Sequence, residues 1–514
     1  MKKFSHLTRT SLLLGFLFSL DKIVAFGRSI LIARQFKLTA EFDAFNVANN
    51  LPDLLFALIS GGALAMAFIP VLTEFLTRDG RQAAWNLFSR VANLAFLVTT
   101  VLAVLVAIFA EPIVRSQIGI APGFNLAQQH LIAELMRLNL IATCIFSLSG
   151  LVMAGLQANQ HFLFPALAPI LYNLGQLFGA LVLSPAKPYT FGPLRLPAFG
   201  LGVHGLVYGV IIGAVLHLLI QVPALIKYNF HWTPVVNFRD RGVVEVFKVV
   251  GPRLLAMFFI QLMFIARDNF ASRLGLVGAA SSLTIGWMIM QVPETLLGTA
   301  IATAMLPTLA ELATRQEWDK FRLLIEKAIR ILISLCLPVA AIMAAGLNPI
   351  LALAFNFGPS GTFLLTWTVR AYLVVLTGYT IQEVLARAFY ARKEAVIPLY
   401  GVLIRIVLYL SIGFLAVRVF SSSGTFAIAL AEISITVEAI ILLFWLKRKM
   451  GEKITVLPAL VRGLLAAVVG GLVTYGIALF LPGPGFVTAM IGMVIGAFVS
   501  IPFIFPEVRL LFQL

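Results

Sequence analysis

The sequence predicts an all-α polytopic membrane protein with about 14 transmembrane helices. Two parallel six-helix repeats form two lobes around a central cavity, and two extra helices follow at the C-terminus. Three observations carry that prediction. Of 514 residues, 60% are hydrophobic and 12% charged, more apolar matter than a soluble chain of this length encloses in a core. Apolar runs of about 20 residues, long enough to cross a hydrocarbon layer, recur throughout the chain. The segment GGALAMAFIPVLTEF, beginning at Gly61, returns 237 positions later as GTAIATAMLPTLAEL, beginning at Gly298. Seven identities stay in register, among them Gly61 with Gly298, Pro70 with Pro307 and Glu74 with Glu311.

Taken in order, the spans fall near 9–34, 42–76, 86–110, 130–156, 163–184, 199–224, 245–272, 280–311, 328–355, 364–390, 396–418, 423–447, 456–480 and 485–505. The first has a basic start but no small-residue cleavage site, and Asp21, Lys22 and Arg28 interrupt it; it reads as a retained helix rather than a signal peptide. The second carries Asp43, Asn46, Asn50 and Asp53 as a continuous polar stripe. The fourth and tenth end in a second echo, MAGLQANQHFLFP and LARAFYARKEAVIP, which aligns Ala158 with Ala391 at an offset of 233. Pro52 of LPDLL faces Pro293 of VPETLL at an offset of 241. These shifts of four are single helical turns gained or lost. Six spans per repeat is an even number, so the halves share one orientation. The expected divisions are an N-lobe over 1–228, a C-lobe over 229–450, and spans 13 and 14 over 451–514. The seventh span carries Arg253, Gln261, Arg267 and Asp268; the eighth carries Thr284, Gln291 and Glu294, with Trp287 on the same side. Prolines at matching places in spans 2 and 8 predict paired broken helices, which in transporters flank the substrate site.

If the start is cytoplasmic, the cytoplasmic connections hold roughly 19 Lys and Arg and the outer ones roughly 6. This positive-inside bias predicts both termini in the cytoplasm. It also accounts for the formal charge of +16, which in a soluble chain would point to nucleic acid; no nucleic-acid partner is expected.

An ionised side chain near the bilayer centre costs on the order of 3 kcal/mol. The polar load falls on the first two spans of each half, which admits two readings. One is salt bridges that only join helices. The other is a hydrated cavity where Lys22, Arg28 and Arg267 meet an anionic substrate, with Asp43, Asn46, Asn50, Asp268, Gln291 and Glu294 contacting its sugar or peptide or bridging the cations. Arg suits phosphate because its planar fork donates two parallel hydrogen bonds. Other motifs fail on context. GLGVHG at Gly200 matches a dinucleotide fingerprint but opens a membrane span without a βαβ unit. The six His are scattered, Cys144 and Cys336 lie in separate spans, and no phosphate-binding loop occurs. No catalytic residue, cofactor or metal is expected, and transport would draw on an ion gradient or the membrane potential.

The motifs DAFNVANNLP, AFIPVLTEF, APGF at Ala121, PALAPILYNLG from Pro165, GVHGLVYGVIIGAVLHLLIQVP from Gly202, GPRLL at Gly251, MLPTLAEL at Met305 and ARAFYARKEAVIP at Ala386 together resemble the MurJ (MviN) family. That family belongs to the multidrug, oligosaccharidyl-lipid and polysaccharide exporter superfamily. The resemblance implies a flippase that moves lipid II, the undecaprenyl-pyrophosphate-linked peptidoglycan precursor, from the cytoplasmic to the outer leaflet of the bacterial cytoplasmic membrane. It implies a cationic role for Arg28 and Lys22, places the family's DAF aspartate on Asp43, and makes spans 13 and 14 a groove for the polyprenyl tail. Gly471, Gly476, Gly492 and Gly496 in those spans fit close packing equally well. The family pattern is broken at several positions. Arg28 is followed by Ser29 instead of Asp, Phe56 and Ala57 stand where paired arginines are usual, and Trp287, Met288 and Gln291 replace an Asp-Arg and a following Glu. Arg267, Asp268 and Glu294 are expected to supply the charge that the eighth span lacks. The alternatives are a flippase for another polyprenyl-linked glycan, a cation-coupled exporter, or a membrane scaffold that does not transport.

Overall fold

The computed structural model describes residues 6–60, 63–237, 239–420, 423–450 and 455–511. Two compact units divide at 265/266. In unit 1, α1 (His6–Phe36) is followed by α2 (Ala40–Ala48), α3 (Asn50–Leu55), a π-helical segment (Phe56–Ser60) and α4 (Ala63–Arg78). Then come α5 (Gly80–Ile108), α6 (Ala110–Arg115), α7 (Leu126–Ala158), α8 (Leu163–Phe178) with a π-helical end (Gly179–Leu183), a two-residue hairpin of β1 (Thr190–Phe191) and β2 (Leu194–Arg195), α9 (Gly202–Leu219) and α10 (Val222–Lys227). The next helix, α11 (Arg241–Ser272), crosses the division. Unit 2 holds α12 (Ala279–Glu294), a π-helical segment (Thr295–Thr299), α13 (Ala300–Thr314), α14 (Trp318–Phe355), α15 (Gly358–Ala391), α16 (Val396–Arg418), α17 (Thr425–Leu430), α18 (Ile433–Met450), α19 (Leu457–Phe480) and α20 (Gly485–Leu511).

Among the described residues, up to 11 spans are long and apolar enough to cross a membrane, counting α15, bent by 40°, as one. The remaining expected spans are α1, α2 to α4, and α11, the three that carry Asp21, Lys22 and Arg28; Asp43 and Asp53; and Arg267 and Asp268.

The repeat has a local structural signature. The π-helical segments at Phe56–Ser60 and Thr295–Thr299 each begin two to four residues after a proline, Pro52 and Pro293. A π-turn inserts an extra residue into the helical ladder and recurs at functional sites. The two prolines thus distort both halves at matching places. Gly61, which opens the first echo, lies outside the described residues.

The unit boundary differs from the expected 228/229 because the N-terminal part of α11 packs with unit 1. Val243 and Val246 are buried in the cluster around Trp85, Phe88 and Phe68, while Phe270 of the same helix packs on Gly413 and Tyr409 of α16. Helices α19 and α20 pack on each other and on α14 within unit 2. Their glycines divide. A Cβ at Gly496 would meet Thr474 Oγ1 at 2.2 Å and one at Gly492 would meet Thr474 O at 2.8 Å, whereas Gly476 has open space around it.

A close backbone-to-backbone helix crossing lies in unit 1. A Cβ at Gly175 would lie 2.4 Å from Gly213 Cα, and one at Gly209 would lie 2.7 Å from Gly179 Cα. Lipid tails are as apolar as leucine, so such a crossing is held by backbone-to-backbone packing rather than by exclusion of water. Gly209→Val is therefore expected to destabilise unit 1 by about 3 kcal/mol through overpacking. The recovery of monodisperse protein after detergent extraction checks it; normal recovery and melting would contradict the crossing.

Outside the spans, Glu394 between α15 and α16 accepts from Lys449 at 2.9 Å and lies 3.3 Å from the Arg392 guanidinium. Partial burial pushes its carboxyl up, but these two cations outweigh that and hold it below its ordinary value. A depressed carboxylate stabilises the fold above the unfolded-state value, about 4.3, and the contribution is lost as pH falls through the lower folded value. Glu394→Gln should accordingly remove less than about 1 kcal/mol near neutrality and flatten the melting curve's dependence on pH below about 4.

Candidate substrate site

In unit 1, α1 packs on α8 through Leu14, Leu17 and Leu20 against Ala166, Leu167 and Ile170. That seam brings the polar residues of α1 to Asn173 of α8. Arg28 Nη1 donates to Asn173 Oδ1 at 2.6 Å, and Asn173 Nδ2 donates to Asp21 Oδ1 at 2.8 Å. Asn173, itself 4% exposed, therefore relays between a cation and a carboxylate seven residues apart. Arg28 Nη2 lies 3.5 Å from Ser29 Oγ, and the carboxylate that Arg28 reaches is Asp21, through the Asn173 amide. Arg28 is half-buried, and its Nε has no hydrogen-bond partner. Lys22 is exposed and makes no hydrogen bond or ion pair among the described residues. A half-buried guanidinium and a free ammonium on one helix can receive an oxyanion.

The polar stripe of the second span is not continuous. The helix is interrupted at Asn49, between α2 and α3, and burial differs along the stripe. Asp43 and Asn50 are buried, Asn46 is half-buried with its amide on Phe42 O at 2.9 Å, and Asp53 is exposed. Asn139 of α7 donates to Asn49 Oδ1 at 2.7 Å and pins the interruption. Asp43 is committed inside the unit, not presented on a shared face.

In unit 2, Arg267 and Asp268 form a buried pair. Arg267 Nε donates to Asp268 Oδ1 at 2.9 Å and Nη2 donates to Thr284 Oγ1 of α12 at 3.0 Å; the side chains are 7% and 1% exposed. The expectation that Arg267 itself meets an anionic substrate does not match this placement, because its guanidinium is already satisfied by groups of its own unit. Through Thr284 the pair is tied to α12, the eighth span. Gln291 is exposed at the end of α12. Glu294, 9% exposed, accepts from the hydroxyls of Thr295 and Thr299 at 3.3 and 3.1 Å, both within the π-helical segment. Trp287 turns toward α15, edge-on to Tyr372 and Tyr379, and so belongs to the packing of the unit. The side chain of Arg253 lies outside the described residues.

Sequence reasoning passed over Asn173 and the buried ions Arg405, Glu432 and Glu438. A signal existed for the latter three, since any ionisable residue inside a span is unusual; Asn173 lay within a quoted motif without a role.

The family model for the lipid II flippase MurJ matches residues 32–496. The chain belongs to the MurJ family. A lipid II flippase MurJ from Burkholderia cenocepacia is 30% identical over 397 residues, covering 75% of this chain and 74% of the relative. Among solved structures, a lipid II flippase MurJ in an inward closed conformation is similar with a TM-score of 0.78, at 19% identity, over 98% of this chain and 100% of that one. An inward-facing multidrug resistance MATE family transporter of the MOP superfamily is similar with a TM-score of 0.69, at 16% identity, over 84% and 94%. These two likenesses concern the fold. The multi-pass helical architecture is thus the fold that these solved structures share.

Proposed function

We propose that the chain is a flippase for lipid II, moving it from the cytoplasmic to the outer leaflet of a bacterial cytoplasmic membrane by alternating access, without catalysing a covalent step. The observation that carries this reading is a MurJ family match over residues 32–496, on a chain whose first helix offers Lys22 and a half-buried Arg28 at membrane depth. Lys22 and Arg28 hold the pyrophosphate. Asn46 of unit 1 contacts sugar or peptide, and Asp43 and Asn50 position α2 and α3 within that unit. In unit 2, exposed Gln291 is available to a headgroup, and Arg267, Asp268 and Glu294 position α11 and α12. Helices α19 and α20 guide the polyprenyl tail, and both termini face the cytoplasm, a reading that the positive-inside bias supports.

A second reading is favoured by one observation: Phe56, Ala57, Trp287 and Met288 occupy places where the family carries charge, which suits a polyprenyl-linked glycan with a smaller or less ionic headgroup. Expression in cells depleted of their lipid II flippase separates the two. Restored growth supports lipid II as cargo. Membrane-inserted protein without growth, combined with transport of a different polyprenyl-linked glycan in vesicles, supports the second. Failure of both leaves a scaffold role.

A further inference from the structure

Unit 2 contains a group of intramembrane ions separate from the residues assigned to substrate. Arg405 of α16 donates from Nη2 to Glu432 Oε2 at 2.8 Å and to Tyr379 Oη at 2.5 Å. Tyr379 of α15 in turn donates to the same Glu432 oxygen at 2.8 Å, and the Arg405 guanidinium lies 5.1 Å from the centre of the Tyr379 ring. Arg405 Nη1 lies 3.9 Å from Glu438 Oε2, and Gln382 Nε2 donates to Glu438 Oε1 at 3.0 Å. Arg405, Glu432 and Glu438 are 7%, 5% and 0% exposed.

Two features show a place built for these groups. Glu432 stands on the two-residue interruption between α17 and α18, and broken helices are where transporters house ions. A Cβ at Gly401 would come within 3.1 Å of Glu438 Oε1, so α16 gives up a side chain where the carboxyl enters. Tyr409, one turn beyond Arg405, is fully buried with an unpartnered hydroxyl.

The charge does not balance. The cluster has one guanidinium and two carboxylates; the nearby Arg267 with Asp268, and Arg387 with Glu383 on α15, cancel as pairs. The facing groups on α15, Tyr379 and Gln382, are neutral, as is Tyr409 on α16. One negative charge is left over in a water-poor interior, where an unpaired ion costs several kcal/mol. Two carboxylates sharing such a site cannot both stay ionised. Glu432 receives hydrogen bonds from both Arg405 and Tyr379. Glu438 has only a long contact with the cation and a neutral amide donor. A metal cation is disfavoured because the guanidinium already stands between the carboxylates, and no group of three His, Cys, Asp or Glu among the described residues could hold a metal ion.

We propose that Glu438 binds and releases a coupling proton. The carboxyl is protonated while α15, α16 and α18 close on it. It gives the proton to water, becoming a carboxylate, when the α17–α18 interruption opens the cluster. The coupling role rests on the transporter reading; occupancy of Glu438 by a proton does not.

Difference infrared spectroscopy of the full chain in lipid, titrated with pH in water and in deuterium oxide, tests occupancy. The carbonyl band of a protonated carboxyl is expected at neutral pH, lost in Glu438→Gln, shifted but present in Glu438→Asp, and lost also in Glu432→Gln, where Arg405 is left with Glu438 as its counter-ion. A band unchanged in Glu438→Gln overturns the proposal. Vesicle transport driven by a pH gradient tests coupling: Glu438→Gln should lose the gradient dependence. Transport that follows a sodium gradient and ignores pH overturns coupling. Absence of transport in the wild type, with the band still assigned to Glu438, refutes the transporter reading and coupling while leaving the proton site standing.

Discussion

Asp268→Ala is expected to lower the stability of unit 2 by about 3–5 kcal/mol, the cost of leaving a buried cation without its counter-ion. Asp268 is fully buried and accepts from Arg267 Nε at 2.9 Å. Thr284, which also accepts from that guanidinium, is neutral and cannot compensate. The double replacement Arg267→Met with Asp268→Leu should recover most of the loss, since apolar groups of similar volume do not incur the desolvation that the ion pair does. Melting of detergent-solubilised protein, followed by tryptophan fluorescence, measures both. Transport then separates stability from positioning. If the pair exists to bring charge to α12, the double variant is stable yet flips slowly; if it only joins helices, the double variant flips normally. A single variant that melts like the wild type would show that the pair is not buried.

The sequence made the architecture legible because its signals are long-range and redundant. Apolar runs repeat along the chain, and the Gly61 and Gly298 echoes carry proline, glycine and glutamate at fixed spacing. The family match and the two π-helical segments agree with them. Individual side chains were harder to place, for a physical reason. Helical spacing tells which residues share a face but not what packs over it, and in the second span Asp43 is buried while Asp53 is exposed. Adjacent charges can also satisfy each other. Nothing in the order Arg267, Asp268 announces whether the arginine reaches out or folds back, and Thr284, 17 residues away, helps decide it. Asn173 was invisible because an amide has no charge to attract attention, although it joins Arg28 to Asp21. Arg405 and Glu438 were readable as intramembrane ions, but their grouping depends on how α15, α16 and α18 meet.

Arg28→Ala is expected to abolish flipping. Truncating one member of a desolvated, hydrogen-bonded charge pair costs about 2–5 kcal/mol, and 2 kcal/mol is roughly 30-fold in an equilibrium constant. The loss has two parts. The pyrophosphate loses a donor fork, and Asn173 with Asp21 is left presenting a carboxylate where an anion must arrive. Arg28→Lys keeps the charge but not the fork, so an intermediate defect of about tenfold is expected. Lys22→Ala removes an exposed, mobile ammonium and should weaken affinity more than turnover. Asn173→Ala leaves every charge in place and frees Arg28 to swing, so its defect reports positioning alone. Accumulation of labelled lipid II in the outer leaflet of reconstituted vesicles gives each value. Cells depleted of their own flippase give the same order as growth. Equal activity of Arg28→Ala and wild type would remove α1 from the substrate path. A defect in Asn173→Ala equal to that in Arg28→Ala would mean that the guanidinium acts only as the relay holds it, toward Asp21.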